Sequence, residues 1–175
     1  MQNNKQAYLH GSESDSNSGK ARLFREWFPG MLTPDFSGAF AERMAQLHTI
    51  LLDTADWTLI GSSYGGLMGT IFTLDHATQI RKLILVAPAL TLEPLASRSG
   101  PKPVSVPTIL IHGTLDTIVP LEPVRATIAQ RLFTSLPYHI VDDDHRLHKS
   151  ANELDWKMIL AQFHPSYVRR SKCLT

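Results

Sequence analysis

The run Gly61-Ser62-Ser63-Tyr64-Gly65-Gly66 places a serine between two glycines where the apolar stretch Trp57 to Ile60 ends and helical periodicity begins at Leu67. A serine hydroxyl is a weak nucleophile unless it is exposed, held at a fixed angle and set beside a base. A tight turn from strand to helix meets the first two conditions, at the cost of strained backbone and a close approach of chains that needs Gly61 and Gly65 to be small. Ser63 then projects from the turn with a helix amino terminus behind it. The N–H of Tyr64 can point at a developing oxyanion, helped by the positive end of that helix. Without its flanks the same pattern is a glycine-rich turn whose serine caps a helix; the strand before it and the helix after it favour the nucleophile. Ser62 is the weaker candidate, because it is not the central residue of the motif.

An activated serine needs an imidazole, and the chain has eight histidines. His48 and His76 fall within or at the end of expected helices and His139 inside an expected strand, so these read as structural or surface residues. His145 follows that strand in Val141-Asp142-Asp143-Asp144-His145, where a loop can bend toward Ser63; His148 is its rival. The third member is a carboxylate that holds the far ring nitrogen, fixing the tautomer and stabilising the imidazolium. Asp116 fits best, in His112-Gly113-Thr114-Leu115-Asp116, just beyond the apolar run Thr108 to Ile111. An Asp near a glycine is also a common turn residue, but Ser63, Asp116 and His145 come in the Ser, acid, His order of the α/β-hydrolases. Asp142, Asp143 and Asp144 are alternative acids, less well placed to hold from behind a ring that is their neighbour in sequence. A second oxyanion donor is expected from the loop after an early strand, where His10-Gly11 closes Tyr8-Leu9 and the N–H of Ser12 follows. His10 is expected to shape that loop.

These residues have to be brought together by the elements between them. Apolar runs predict strands at Ala7 to His10, Trp57 to Ile60, Lys82 to Val86, Thr108 to His112 and Tyr138 to Val141, with a weaker one near Phe28 to Leu32. Helical stripes fall between them: Phe40, Met44, Leu47 and Leu51; Leu67, Ile71 and Leu74; Val124, Ile128 and Leu132. A last helix is expected after Ser150, since Ser150-Ala151-Asn152-Glu153 has capping-box spacing and Leu154, Met158 and Ala161 follow on one face. Such alternation predicts an α/β fold, a mainly parallel sheet flanked by helices, with functional loops at the carboxyl ends of the strands. Three loops stand out: the small polar Gly11 to Gly19, the proline-rich Pro88 to Pro107, and Asp142 to His145. No repeat or linker divides the chain, so residues 1–175 read as a single domain.

Composition narrows the function classes. Seventeen Lys+Arg against 16 Asp+Glu give a net charge of +1, which argues against nucleic acid as a partner. The basic tail Arg169, Arg170 and Lys172 reads as a solvated terminus. With 43% hydrophobic and 19% charged residues the chain is that of a globular domain and not a disordered one. Its length buries roughly 70% of the unfolded surface, enough for one sizeable core. The single cysteine, Cys173, allows neither a disulfide within the chain nor a cysteine metal cluster. Neither a signal peptide nor an apolar run of about 18 residues is present, so a cytoplasmic protein without a membrane partner is expected.

Three other readings fail or fade. Gly19-Lys20 is not a phosphate loop, because Ser14 stands where the motif needs glycine and Ala21 where it needs Ser or Thr. No G-x-G-x-x-G follows the first strand. Asp142 to Asp144 with His145 and His148 could bind a divalent ion, yet no other cluster of ligand spacing supports it; no metal and no cofactor are expected.

Leu9-His10-Gly11 with its serine-rich loop and Gly19-Lys20-Ala21, then Gly61 to Gly66, then His112 to Pro120, then Asp142 to Leu147, resemble the α/β-hydrolase superfamily, in particular the small YqiA-like esterases. The four blocks span residues 8 to 147. The resemblance implies a minimal α/β-hydrolase fold with Ser63 as nucleophile, Asp116 as acid, His145 as base, and Ser12 and Tyr64 as oxyanion donors. The chain departs from larger relatives by starting near what would be their third strand and by lacking a cap domain; only Pro88 to Pro107 could serve as a small lid. The implied activity is that of a serine hydrolase, carboxylesterase-like or thioesterase, cleaving a small ester or thioester through an acyl-enzyme. The competing expectation is a catalytically silent fold of the same kind used as a binding module. Acyl length, leaving group and oligomeric state are not legible from these residues.

Overall fold

The apolar runs become five strands, β1 (Lys5–Leu9), β2 (Trp57–Ser62), β3 (Ile80–Val86), β4 (Thr108–Gly113) and β5 (Tyr138–Val141), which lie side by side in chain order with every neighbouring pair parallel. The structure is a computed structural model and describes residues 5–51, 53–98, 102–125 and 132–161. Each of the five expected main strands is present. The weaker one near Phe28 to Leu32 is reduced to a single bridge, where Leu32 exchanges backbone hydrogen bonds with Gln6 and Tyr8 of β1. Pro29 and Gly30 lie just before it. Pro29 has no N–H to donate, and Gly30 turns at φ +99°, a region that favours glycine.

Helices cover the sheet: α1 (Gly19–Trp27), α2 (Phe40–Leu51), α3 (Tyr64–Asp75), the single turn α4 (Leu121–Pro123), α5 (Ser150–Glu153) and α6 (Trp156–Ala161). Strand side chains alternate between two apolar clusters, as a two-residue period requires. Leu9, Leu59, Leu83, Leu85 and Leu110 point into the cluster that contains Met44, Leu47 and Leu51 of α2 and Leu67 and Ile71 of α3. Tyr8, Ile60, Ile84, Val86 and Ile111 point into the other, with Ala21 and Phe24 of α1 and Trp156 and Ile159 of α6. There the Phe24 ring meets Trp156 edge-on at 4.8 Å, a contact worth about 1 kcal/mol beyond its buried area.

One helix has no counterpart among the expected stripes, one expectation is revised, and one falls partly outside the described residues. Gly19 to Trp27 is a helix, capped by the Ser18 hydroxyl, which accepts from the Ala21 N–H at 3.4 Å. The expected last helix is two short ones, because Leu154 is extended between them; the Ser150 N–H goes to Asp143, and the helix N-cap is Lys149, so no capping box forms at Ser150. Of the stripe Val124, Ile128 and Leu132, Val124 directly follows α4, while Ile128 lies outside the described residues, as do Cys173 and the basic tail. Ala89, Leu90, Leu95 and Val106 of the proline-rich segment are buried in the cluster on the α2 and α3 face.

The route of the chain fixes where a site can form. From β1 it passes through α1 to Leu32 on one side of β1, then through α2 to β2 on the other. The direction of winding therefore reverses beside β1, and the crevice at the carboxyl ends of β1 and β2 is the place where such sheets bind ligands. Gly11 and Ser63 stand at those two ends. No described helix is long and apolar enough to cross a membrane.

Candidate active site

β2 ends at Ser62, α3 begins at Tyr64, and Ser63 between them has φ 53° and ψ −116°. A residue with a side chain in this region costs on the order of 1–3 kcal/mol, so its surroundings must impose it. They do so through the backbone. The Ser63 N–H donates to Val86 O at 3.0 Å, and Ser63 O accepts from the N–H groups of Gly66, Leu67 and Ala89. The glycines are steric necessities: a Cβ on Gly61 would lie 2.6 Å from Gly65 O, and one on Gly65 would lie 2.5 Å from the carbonyl carbon of Leu9. Ser62 ends β2 buried, hydrogen-bonded to the Tyr8 phenol, whose pKa burial pushes up.

Three loops converge on Ser63. From the loop after β5, His145 brings Nε2 to 3.0 Å from Ser63 Oγ, while its Nδ1 donates to Asp116 Oδ2 at 2.8 Å. With the proton on Nδ1, Nε2 is left to accept the serine proton. Asp116 Oδ1 accepts from the N–H groups of Ile118 at 3.0 Å and Val119 at 2.8 Å. The alternative acids are occupied elsewhere. Asp143 accepts from the N–H groups of Asp144 and Ser150, Asp144 from those of Arg146 and Leu147, and Asp142 from the Thr114 hydroxyl. They hold the loop that presents His145; among the described residues no group of three His, Cys, Asp or Glu could hold a metal ion. His148 is exposed three residues on.

The loop after β1 runs alongside the serine. A Cβ on Gly11 would sit 3.5 Å from Ser63 Cβ, and Ser12 lines the same cavity as Ser63. His10 shapes this loop: its Nε2 accepts from the Phe36 N–H at 2.9 Å and its Nδ1 donates to Gly11 O at 2.7 Å. Both rings bonds are made by one neutral tautomer. Tyr64 is the first residue of α3, so its N–H has no carbonyl partner within the helix.

Two residues at the site have no role assigned by the sequence motifs. Arg43, only 8% exposed, donates to Ser12 O at 3.3 Å and Gly38 O at 3.0 Å and lies 5.6 Å from the Tyr64 ring centre, so one side chain touches both expected oxyanion residues. His112 is fully buried with Nε2 2.8 Å from Val119 O and 3.1 Å from Asp116 Oδ2. Burial holds its pKa below the usual histidine range. Two acceptors face Nε2, so the neutral ring carries its proton there and becomes a further donor to Asp116. The other weighed histidines stand apart: His48 and His76 stack about Phe72 between α2 and α3, and His139 is half-buried in β5.

A cavity of about 670 Å³ opens over Ser63 and His145, lined by Ser12, Lys20, Leu23, Arg146, His148 and Asn152. Ile118 forms part of its rim and is 68% exposed. No described residue of 88 to 107 lines it.

No family model and no curated protein matches the chain, but solved structures do. An esterase from Exiguobacterium antarcticum superimposes with a TM-score of 0.74 at 13% identity, covering 91% of both chains. A hydrolase described as putative from Agrobacterium vitis gives 0.73 at 20%, covering 91% of this chain and 88% of that one. Mouse alpha/beta hydrolase domain-containing protein 10 gives 0.68 at 21%, covering 89% and 87%. At such identities the likeness is one of architecture, and together with the all-parallel sheet it shows that this chain has the α/β-hydrolase fold.

Proposed function

We propose that the protein is a serine hydrolase of small esters or thioesters, working as one domain in the cytoplasm. The observation that carries this is the relay from Asp116 through His145 to Ser63, with steps of 2.8 and 3.0 Å, ending on a serine held in a strained turn. His145 Nε2 takes the hydroxyl proton as Ser63 Oγ attacks the substrate carbonyl carbon. Negative charge moves to the carbonyl oxygen, where the N–H groups of Ser12 and Tyr64 receive it; a donor of this kind is worth roughly 3 kcal/mol in the barrier. Collapse expels the alcohol or thiol, which leaves with the proton from Nε2. Water, activated by the same nitrogen, then attacks the acyl-serine and releases the acid.

Asp116 keeps the imidazole in the tautomer that both half-reactions need, and Arg43 holds the Ser12 loop by its carbonyl. The Exiguobacterium antarcticum structure of the same fold is an esterase, which supports an ester as the substrate class. A panel of 4-nitrophenyl esters of increasing chain length tests the proposal. Turnover that disappears in Ser63→Ala is expected; a folded protein that turns over no ester of any length would instead be a binding module.

A further inference from the structure

The cavity has a charge pattern that the relay does not use. Lys20 of α1 and Arg146 beside His145 both line it, and they are neighbours, because Lys20 Nζ donates to Arg146 O at 2.6 Å. That bond occupies one of three ammonium protons. The Arg146 guanidinium is exposed and makes no ion pair with any described residue. Asp143 and Asp144, the acids whose charges act on Lys20, are bound to backbone N–H groups of their own loop. Among the described residues Glu13 is the cavity's one carboxylate, against two cations. The wall also includes the first turn of α1, at Gly19 and Lys20, where the helix dipole favours negative charge.

We infer that this cavity selects esters that carry a carboxylate a few bonds from the reacting carbonyl, with Lys20 and Arg146 as the groups that hold it. For the reacting bond the inference rests on the serine-hydrolase reading; for the binding of a carboxylate it does not. Burial, with the nearby Arg146 charge added, lowers the Lys20 pKa to about 8 against the opposing pull of Asp144 and Asp143. A bound carboxylate relieves both costs at once. The guanidinium adds the planar fork that matches a carboxylate, and a volume of about 670 Å³ lies within the roughly 300–1,000 Å³ of small-molecule sites.

Two measurements run together test this. The first compares kcat/KM for 4-nitrophenyl hemisuccinate with that for its neutral methyl ester, at low and high salt. The second titrates monomethyl succinate and the neutral dimethyl succinate into Ser63→Ala by NMR, which needs no turnover. The charged ester is expected to be preferred about tenfold at low salt, less at high salt, and monomethyl succinate is expected to bind more tightly than the neutral diester. Arg146→Gln, checked for an unchanged melting temperature, should remove most of both preferences, and Lys20→Gln the remainder. Equal turnover of the two nitrophenyl esters with equal binding of the two succinates overturns the inference and leaves the hydrolase reading intact. Preferential binding of monomethyl succinate with no turnover of either nitrophenyl ester upholds the anion site and overturns the hydrolase reading.

Discussion

The turn that carries Ser63 and the cavity wall that faces it meet at one hydroxyl but are held by different parts of the chain. At the turn, main chain packs on main chain: Gly61 lies against Gly65 and Gly66, and Gly65 against the carbonyls of Leu9 and His10, with no room for a methyl group. At the wall, side chains do the holding. Lys20 reaches from α1 to Arg146, and nothing lies within 4 Å of where a Cβ on Gly19 would be. A fixed nucleophile beside an adjustable wall lets chemistry and substrate choice vary independently, which is how one fold serves many substrates.

The comparison can be broken most severely at the turn's hydroxyl. Ser63→Ala should lower kcat by roughly 10³ to 10⁶ while leaving the melting temperature near that of the parent, measured by ester turnover and calorimetry. Asp116→Asn should cost about 10⁴, because Asn offers an N–H where His145 Nδ1 needs an acceptor. Gly65→Ala should destabilise the fold by about 3 kcal/mol and abolish turnover, whereas Gly19→Ala should leave stability equal or up to about 1 kcal/mol higher. Equal effects of the two alanines would erase the distinction between turn and wall. Arg43→Met should lower kcat by about tenfold to a hundredfold through a loosened Ser12 loop, with much less effect on KM.

The smallest effect is on stability against pH. Burial lowers the pKa of His48, His112 and His139 in the folded state, with the neighbouring His76 adding to the effect on His48. The unfolded chain therefore binds more protons as pH falls below about 6.5. Stability from these groups is complete above that value and is lost as pH drops toward the folded values, so the melting temperature should fall between pH 7 and 5. A flat profile would mean that these rings are not buried as described.

The strands were legible because each is an apolar run bounded by polar residues or turns, and Ser63 because its glycines are required by the turn itself. Asp116 and His145 could be singled out by their place just after strands, since loops at that edge of a parallel sheet converge. Helix α1 was not legible: only Ala21 and Phe24 of its nine residues are buried, too few to make a stripe. Ser150 shows why spacing alone misleads. Its N–H is held by Asp143, so the sequence pattern of a capping box exists without the structure. Arg43 and His112 acquire their roles only when distant loops fold onto them, and nothing local in the sequence distinguishes a buried arginine on α2 from a solvated one.

Reaction with a fluorophosphonate probe, followed by mapping of the modified peptide, tests the central claim most directly. A serine that opens onto the cavity beside a base that accepts its proton should be phosphonylated stoichiometrically at Ser63, with labelling lost in His145→Ala. A folded protein that takes up no label, or takes it up at Ser62 or another serine, would contradict the account.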